Sequence, residues 1–546
     1  MQRFLWGILL IIVAFSGLLA VTGSYYETND DMQIELFIRG ITTTQHADLS
    51  IFMVGLNGIF DFLYDLSNNV PWYGLTVIGL LLVSYIIYYI SIYDIIKKTP
   101  ILWFCVLLLV ACYFIYFTHA LIVNFTRTGI LLAATASFAY LTRPLNRKGW
   151  VNVTTDILLL LCVGIAWAIR PDAGLMGAIL VLPVAFGLGN PKAILIKRVP
   201  SVVFLLVSLQ IVHSYSVTPE EASWRSANVY IAKIIDYESA ILEPHTSIDT
   251  LASSTIQWYG INDHEVANVG NYKRLVHTNY KYWFGHIISK QYLSVSNFLK
   301  LFAPEILFCL LLTFGAFFLR KDKFLLCYTL LLICTIAGLT CFLWLPNRII
   351  SSITTVWVMV ALWRGAYLGF FDANVIKRTS WVSLLLVALL FKIVMIKRTA
   401  NSMKETQHKQ EQIVLRLEQI VNNRLLVNQG VFYFFDCLSP LKIYFKSSNP
   451  QLNLSGWPSM NPSQLEWIKQ LSGEANYVKA LQELAVRDDV VWVMSPEFAH
   501  YFKGYLRKRR ALIKNTKFEF IITPVQPLTS MRNLWQYKIK IVSKTI

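Results

Sequence analysis

Two adjacent carboxylates, Asp30 and Asp31, follow the first apolar segment of the chain. That segment runs from Phe4 to Thr22 and is long enough for one crossing of a bilayer. A carboxylate can accept the proton of a sugar hydroxyl while that hydroxyl attacks an anomeric carbon. Paired acids at a membrane surface therefore indicate chemistry on a lipid-linked substrate.

The acidic pair has two possible catalytic arrangements and one purely structural alternative. Adjacent side chains point in different directions, so one acid can act as the base while the other holds the acceptor or a divalent cation, Mg²⁺ or Mn²⁺. Glu27 would share their face if the segment is helical. Alternatively, Asn29 or Asp30 caps a helix that begins near Met32. The sequence does not tell which aspartate would be the base.

Three arginines are candidates for binding a phosphate: Arg127, Arg170 and Arg348. The topology derived below places them at outer ends of membrane helices, where the positive-inside rule disfavours arginine. Guanidinium groups bind phosphate oxygens in a bidentate manner and stabilise the charge on a departing polyprenyl phosphate. Asp172 would orient or neutralise Arg170. The alternative is that each arginine snorkels to lipid head groups.

Residues 216–297 form a polar, aromatic-rich region that suits sugar recognition. Trp258, Asn262 and Asp263 combine an aromatic face with hydrogen-bonding edges, and we predict that they bind substrate together with Glu27 and Asp172. Asp263, His264 and Glu265 are consecutive, and consecutive residues rarely ligate one ion together. The sequence therefore identifies no metal site.

The composition excludes a soluble globule. The chain has 546 residues, of which 55% are hydrophobic and 15% charged, and its apolar runs predict a mainly α, polytopic membrane protein. The net charge of +17 indicates basic cytoplasmic loops and attraction to anionic membrane lipid. The sequence has no basic–aromatic nucleic-acid module, so we expect no nucleic-acid partner.

The basic residues predict the topology. Five clusters of lysine and arginine between residues 97 and 378 lie in the cytoplasm if the N-terminus is cytoplasmic and the first helix is uncleaved. About eleven membrane helices then place the C-terminus outside. The predicted spans are 4–23, 74–93, 101–117, 126–141, 154–169, 173–189, 199–215, 298–319, 324–344, 350–363 and 379–396.

The chain divides into a transmembrane domain, residues 1–396, and a soluble extracytoplasmic domain, residues 397–546. The outer loops are 24–73 and 216–297, and acidic residues within 49–66 favour a helix on the membrane surface over a further span. The C-terminal domain is predicted to be a small α/β module. Its predicted elements are a helix at 403–426 and strands at Val431–Phe435, Val490–Met494, Phe518–Ile522 and Trp535–Val542.

Short motifs along most of the chain resemble the GT-C superfamily of membrane glycosyltransferases, in detail a bacterial, largely uncharacterised branch. The motifs are Asn29-Asp30-Asp31, Asn57-Gly58, Leu63-Tyr64, Trp72-Tyr73, Arg127, Arg170 with Asp172, Trp224 with Asp236-Tyr237, Asn262-Asp263 and Gly456-Trp457. The resemblance implies a catalytic acid in the first outer loop, Asp30 or Asp31. It also implies arginines at the lipid phosphate and a soluble domain after the last helix.

The predicted function is an inverting glycosyltransferase of the bacterial inner membrane. It would move a sugar from a polyprenyl-phosphate donor to a glycan or glycolipid acceptor at the outer face. One alternative is an O-antigen polymerase or ligase, which would not need the aspartate pair. The other is a non-enzymatic lipid-glycan transporter, although the sequence has no internal repeat of the kind many transporters show.

Overall fold

The computed structural model describes residues 2–44, 47, 49, 51–97, 99–100, 104–105, 108, 111, 115–144, 149–342, 345–371, 381–429, 431, 435–446, 448–512, 518–529 and 534–543. The protein is mainly helical, with a small C-terminal sheet, as predicted. Among the described residues, seven helices are long and apolar enough to cross a membrane. They are Gln2–Thr22, Trp72–Ile96, Trp150–Ile169, Pro191–Ser216, Ala303–Arg320, Phe324–Cys341 and Asn347–Tyr367.

These seven helices coincide with seven of the predicted spans, and the other four differ. The span 126–141 is a helix of lower hydropathy, and the span 173–189 is a short apolar helix, Pro171–Gly187. The span 101–117 lies mostly outside the described residues. The span 379–396 begins outside them and continues into a helix that extends far beyond the predicted end, to Val421.

The helices up to residue 216 are α1 (Gln2–Thr22), α2 (Asn29–Ile38), α3 (Asn57–Leu66), α4 (Trp72–Ile96), α5 (Phe117–Leu121), α6 (Phe125–Thr142), α7 (Trp150–Ile169), α8 (Pro171–Val181), α9 (Pro191–Lys197) and α10 (Val199–Ser216). A 3₁₀ turn, Leu182–Gly187, follows α8. Two short strands, β1 (Tyr25–Tyr26) and β2 (Ile122–Val123), pair in parallel and tie the first loop to the segment before α6.

The remaining helices are α11 (Pro219–Ile235), α12 (Ser247–Ile256), α13 (Val269–Leu275), α14 (Tyr280–Leu301), α15 (Ala303–Arg320), α16 (Phe324–Phe342), α17 (Asn347–Tyr367), α18 (Trp381–Val421), α19 (Pro462–Ser472), α20 (Tyr477–Val486) and α21 (Pro496–Ala511). The strands β3 (Ala240–Leu242) and β4 (Val276–Thr278) form an antiparallel pair.

Helix α6 lies at the centre of the bundle. All its residues except Thr142 are buried, which explains why small residues such as Gly129 and Ala133 recur along it. Helix α8 packs closely against it, because a Cβ on Gly177 would lie 2.2 Å from the carbonyl oxygen of Ile130. The close packing fixes the ends of α6, α7 and α8 relative to one another.

The segment 49–66 contains a helix, as predicted, but only from Asn57 onward. The helix α3 exposes Ile59, Phe62 and Leu66 and buries Phe60 and Tyr64. Exposed apolar side chains on one short helix suit a position at a membrane surface.

The C-terminal sheet has five strands in the order β6-β5-β7-β9-β8. They are β5 (Leu425–Asn428), β6 (Gln451–Asn453), β7 (Val490–Met494), β8 (Phe518–Thr529) and β9 (Leu534–Ser543). The strands β6, β5 and β7 are parallel, whereas β9 is antiparallel to β7 and to β8. The strands predicted near 490, 518 and 535 are confirmed. The strand predicted at Val431–Phe435 lies largely outside the described residues, and β5 comes earlier.

The C-terminal unit docks on the first loop through hydrogen bonds that backbone carbonyl groups accept. The guanidinium of Arg39 donates to the carbonyls of Tyr444 and Phe445, at 2.7 Å each. The N–H of Gln451 donates to the carbonyl of Ile41 at 2.8 Å, which places the edge strand β6 against the loop. These contacts hold the C-terminal unit over the first loop.

Candidate active site

A cavity of about 610 Å³ opens where the first loop, the α7–α8 junction, α10, α11, the start of α17 and the C-terminal unit meet. Its walls include three arginines and three aspartates. The polar and aromatic lining residues are Asn29, Asp30, Gln33, Arg170, Asp172, Gln210, His213, Arg225, Asn228, Asp236, Tyr237, Tyr259, Arg348 and Trp457.

Asp30 lies in the first turn of α2 and lines the cavity. A carboxylate there interacts favourably with the positive end of the helix dipole. The indole Nε1 of Trp457 donates a hydrogen bond of 3.1 Å to Oδ1 of Asp30. Because Trp457 belongs to the C-terminal unit, both parts of the chain build the position of this acid.

Asp31 has a different environment from its neighbour. It is fully buried and does not line the cavity. Its carboxylate accepts hydrogen bonds from Tyr73 Oη (3.0 Å), Asn124 Nδ2 (2.8 Å), the Phe125 N–H (3.1 Å) and Thr28 Oγ1 (3.2 Å). Burial raises the pKa of Asp31 to about 7, and the hydrogen bond from the Phe125 N–H opposes the rise. Asp31 therefore fixes α2 against α4 and the start of α6.

Arg170 ends α7, and Pro171 begins α8 directly after it. Its guanidinium lies over the rings of Phe52 and Phe125, each 5.4 Å away, and donates to Thr126 Oγ1 at 2.7 Å. Aromatic stacking and one hydrogen bond hold the group in place while leaving other N–H donors for a ligand.

Arg348 and Arg225 also line the cavity. Arg348 is the second residue of α17, and its buried Nε has no hydrogen-bond partner among the described residues. The Nη2 of Arg225 lies 2.8 Å from Nε2 of His213. A buried guanidinium N–H without a protein partner is a donor that a bound anion can satisfy.

Arg127 is not in the cavity. It is buried, and it makes two hydrogen bonds with Glu27, from Nε (2.6 Å) and from Nη2 (2.7 Å). Its Nη1 lies 3.3 Å from Nδ1 of His119, whose Nε2 lies 2.8 Å from Thr355 Oγ1. The sequence placed Arg127 at the correct end of its helix, but its side chain points into the bundle. Arg127 and Glu27 pair with each other there.

Asp172 and Asp236 are the other two acids of the cavity. Desolvation raises the pKa of Asp236, and the Arg348 guanidinium and a hydrogen bond from Tyr259 oppose the rise. Desolvation lowers the pKa of Arg170, and the nearby carboxylate of Asp172 opposes this shift. The cavity lining thus contains both carboxylates and guanidinium groups.

Trp258, Asn262 and Asp263 do not reach the cavity. Trp258 packs against aromatic rings of α21, and Asn262 Nδ2 donates to the carbonyl of Asn453 at 2.8 Å. Asp263 is fully buried and accepts hydrogen bonds from Tyr505 (2.8 Å) and Arg509 (2.7 Å). The three residues join the 216–297 region to the C-terminal unit.

Several lining residues were not predicted as site residues. Gln33 follows Asp30 by three positions, so helical spacing places it on the same face of α2, and this signal was available. Trp457 and Asp236 belong to the motifs that resemble the GT-C superfamily, but neither was predicted to have a role in the site. His213 and Gln210 give no local signal, because they lie at the end of an ordinary apolar helix.

Three exposed residues outside the cavity lining have ligand atoms within 4.8 Å of one another: Glu243, His245 and His277. Within the cavity, the carboxylates of Asp30, Asp172 and Asp236 are oxygen ligands of the type Mg²⁺ or Mn²⁺ prefers. The predicted cation requirement stays a prediction.

The fold and the cavity define a helical integral membrane protein whose mixed-charge cavity lies between the bundle and a C-terminal α/β unit. No protein-family model and no curated protein matches the chain. One solved structure is similar, the crystal structure of ArnT from Cupriavidus metallidurans bound to undecaprenyl phosphate. It is 10% identical, covers 97% of each chain and has a TM-score of 0.47. At these values the likeness establishes neither a shared family nor a shared activity.

Proposed function

We propose that the protein is a membrane glycosyltransferase that transfers a sugar from a polyprenyl-phosphate donor to a glycan or glycolipid acceptor at the outer face of the membrane. The observation that carries the proposal is the cavity in which Asp30 lies together with Arg170 and Arg348. One candidate base and two candidate phosphate ligands, each identified from the sequence, line one space.

In the proposed reaction, an acceptor hydroxyl attacks the anomeric carbon of the donor sugar. Asp30 takes the hydroxyl proton as the new glycosidic bond forms. The bond from the anomeric carbon to the phosphate oxygen breaks, and polyprenyl phosphate leaves on the opposite side with the electron pair. A single displacement of this kind inverts the anomeric configuration.

Asp30 suits the role of base better than Asp31 for a geometric reason. A general base must reach the proton that it removes. Asp30 lines the cavity and accepts a hydrogen bond from Trp457 that fixes its carboxylate. Asp31 is fully buried and already accepts four hydrogen bonds.

Arg170, Arg348 and Arg225 supply the positive charge in the proposal. As the bond to phosphate breaks, negative charge grows on the leaving oxygen, and fixed guanidinium groups lower the energy of that state. Arg225 joins the set in place of Arg127, which Glu27 neutralises inside the bundle. Asp172 and Asp236 are left to accept hydrogen bonds from sugar hydroxyls.

The test is turnover of synthetic polyprenyl-phosphate sugars by the purified full chain in nanodiscs. We expect a new glycosidic bond with the wild type and a loss of at least about 100-fold in Asp30→Asn, the usual scale for removing a general base. Asp65→Asn is the matched control, because Asp65 is an exposed acid of the same loop outside the cavity lining.

Two results would overturn the proposal. One is unchanged turnover in Asp30→Asn, which is the behaviour expected of the polymerase or ligase alternative. The other is the absence of any glycosidic bond with the whole donor panel, combined with passage of intact lipid-linked glycan across the bilayer, which would make the protein a transporter.

A further inference from the structure

A second large groove lies between α1 and α18. It has a volume of about 600 Å³ and shares no lining residue with the candidate active site. Ala14, Gly17 and Leu18 of α1 form one wall, and Ile393 with Lys397 and Lys404 of α18 forms the other. We call this space the α1–α18 groove.

The polarity of the groove changes along its length. Ala14 and Ile393 line its part farther from the first loop, whereas Thr22 and Lys404 line its part nearer that loop. Both helices run in the direction of that loop and the C-terminal unit. The groove therefore combines apolar walls with two lysines toward the end near the first loop, which suits a lipid with an anionic head group.

The charge of the groove is uncompensated by its own walls. Among the described residues that line it there are two lysines and no acid. Lys397 and Lys404 are seven residues apart, about 10 Å along the helix, so two flexible side chains can reach one phosphate. By contrast, Lys409 on the same helix forms an ion pair with Glu405 at 2.6 Å.

Few side chains of helix α1 are buried in the part of the chain that the structure describes. Only Gly7, Ile11 and Phe15 are buried among its 21 residues. The helix leads through β1 to Glu27 and Asp30, so its position bears on the candidate active site. A ligand between α1 and α18 would add packing where the protein supplies little.

We propose that the α1–α18 groove binds an anionic phospholipid of the surrounding leaflet, with its phosphate between Lys397 and Lys404 and an acyl chain beside Gly17. A phospholipid fits better than the polyprenyl donor, because a head group at Lys397 lies outside the cavity that contains Asp30. The bound lipid would hold α1 against α18.

The experiment measures lipid bound to the intact full chain by native mass spectrometry, with phosphatidylglycerol and phosphatidylcholine titrated separately. We expect phosphatidylglycerol to bind preferentially and the double variant Lys397→Gln, Lys404→Gln to weaken it about tenfold. Lys409→Gln is the control, a paired lysine of the same helix outside the groove. Equal binding of the two lipids, or an unchanged affinity in the double variant, overturns the proposal.

A second variant tests the apolar half of the groove without touching a charge. A Cβ on Gly17 would meet nothing within 4 Å, so Gly17→Leu fills the groove without strain. We expect it to reduce phosphatidylglycerol binding several-fold, whereas Gly338→Leu, at an equally open site on α16, leaves it unchanged. Displacement of phosphatidylglycerol by polyprenyl phosphate at much lower concentration would assign the groove to the donor lipid and overturn the proposal. None of these readouts depends on turnover.

Discussion

Two polar clusters each take one acid from the first loop, Glu27 or Asp30, and differ in what they offer a ligand. In the first, Glu27, Arg127 and His119 satisfy one another inside the bundle. In the second, Asp30, Arg170 and Arg348 face a shared cavity, and Arg348 keeps a buried N–H without a partner among the described residues. The comparison teaches that charge type alone does not identify a binding residue. A binding residue is identified by the hydrogen-bonding groups that the protein leaves available to a ligand.

The largest effect should come from breaking the closed cluster. In Arg127→Ala, Glu27 loses its buried partner, and we expect the free energy of unfolding to fall by about 3–5 kcal/mol. Thermal unfolding of the purified protein measures this. The paired variant Glu27→Gln, Arg127→Met should recover much of the loss, since neither charge then remains buried alone. An unchanged unfolding temperature in Arg127→Ala would contradict the comparison.

Mutation of the cavity should lower turnover and leave stability almost unchanged, the opposite of mutation of the closed cluster. Arg348→Gln should lower turnover about 100-fold, the scale for removing one donor to a developing negative charge, with little change in the unfolding temperature. Arg320→Gln, at the other end of a membrane helix, is the control. A loss of stability without a loss of turnover would show that Arg348, like Arg127, has a structural role.

The buried carboxyl of Asp31 should make stability depend on pH. Its pKa is about 7 in the folded protein and about 3.9 in an unfolded chain, so the folded state holds the proton more tightly between these values. Stability should therefore fall as the pH rises from about 4 to about 7, by roughly 1.4 kcal/mol per pH unit at most for this group. Glu35, buried with a pKa also raised to about 7, adds a similar contribution.

The measurement for this prediction is the unfolding temperature across pH 4–8. Asp31→Asn should reduce the slope of unfolding temperature against pH by the contribution of one titrating carboxyl group. Asp65→Asn, at an exposed position, should leave the slope unchanged. A steeper profile in Asp31→Asn would contradict the assignment of the raised pKa to this residue.

The smallest effect concerns the contact between Trp457 and Asp30. Trp457→Phe keeps an aromatic ring and removes the N–H donor, a loss of about 1 kcal/mol, so turnover should fall about fivefold. A tenfold loss in Trp467→Phe, a tryptophan outside the cavity lining, would show that the effect is not specific to Asp30.

The sequence predicted the bundle well because apolar length is a local property. Helices such as α1, α4 and α7 follow directly from their apolar runs. The strand β5 escaped prediction because it has only four residues and follows a long helix closely. The pattern of alternating or continuous apolar residues is too short there to separate strand from helix.

The site was predicted in part for a similar reason. Topology correctly grouped Asp30, Arg170 and Arg348 at one end of the bundle, and the structure brings them to one cavity. Topology does not fix the direction of a side chain around its helix, so Arg127 was grouped with them although it points inward. His213 was not predicted because only the packing of α10 against other helices brings its side chain to the cavity.

The hydrogen bond between Trp457 and Asp30 joins residues 427 positions apart. Both parts of the polypeptide must be made before the cavity is complete, so a nascent chain still lacking its last hundred residues, Trp457 among them, carries an incomplete candidate active site. On the proposed function, the protein would stay inactive during synthesis and insertion. Exchange of the C-terminal unit between related chains would succeed only if the first loop travelled with it.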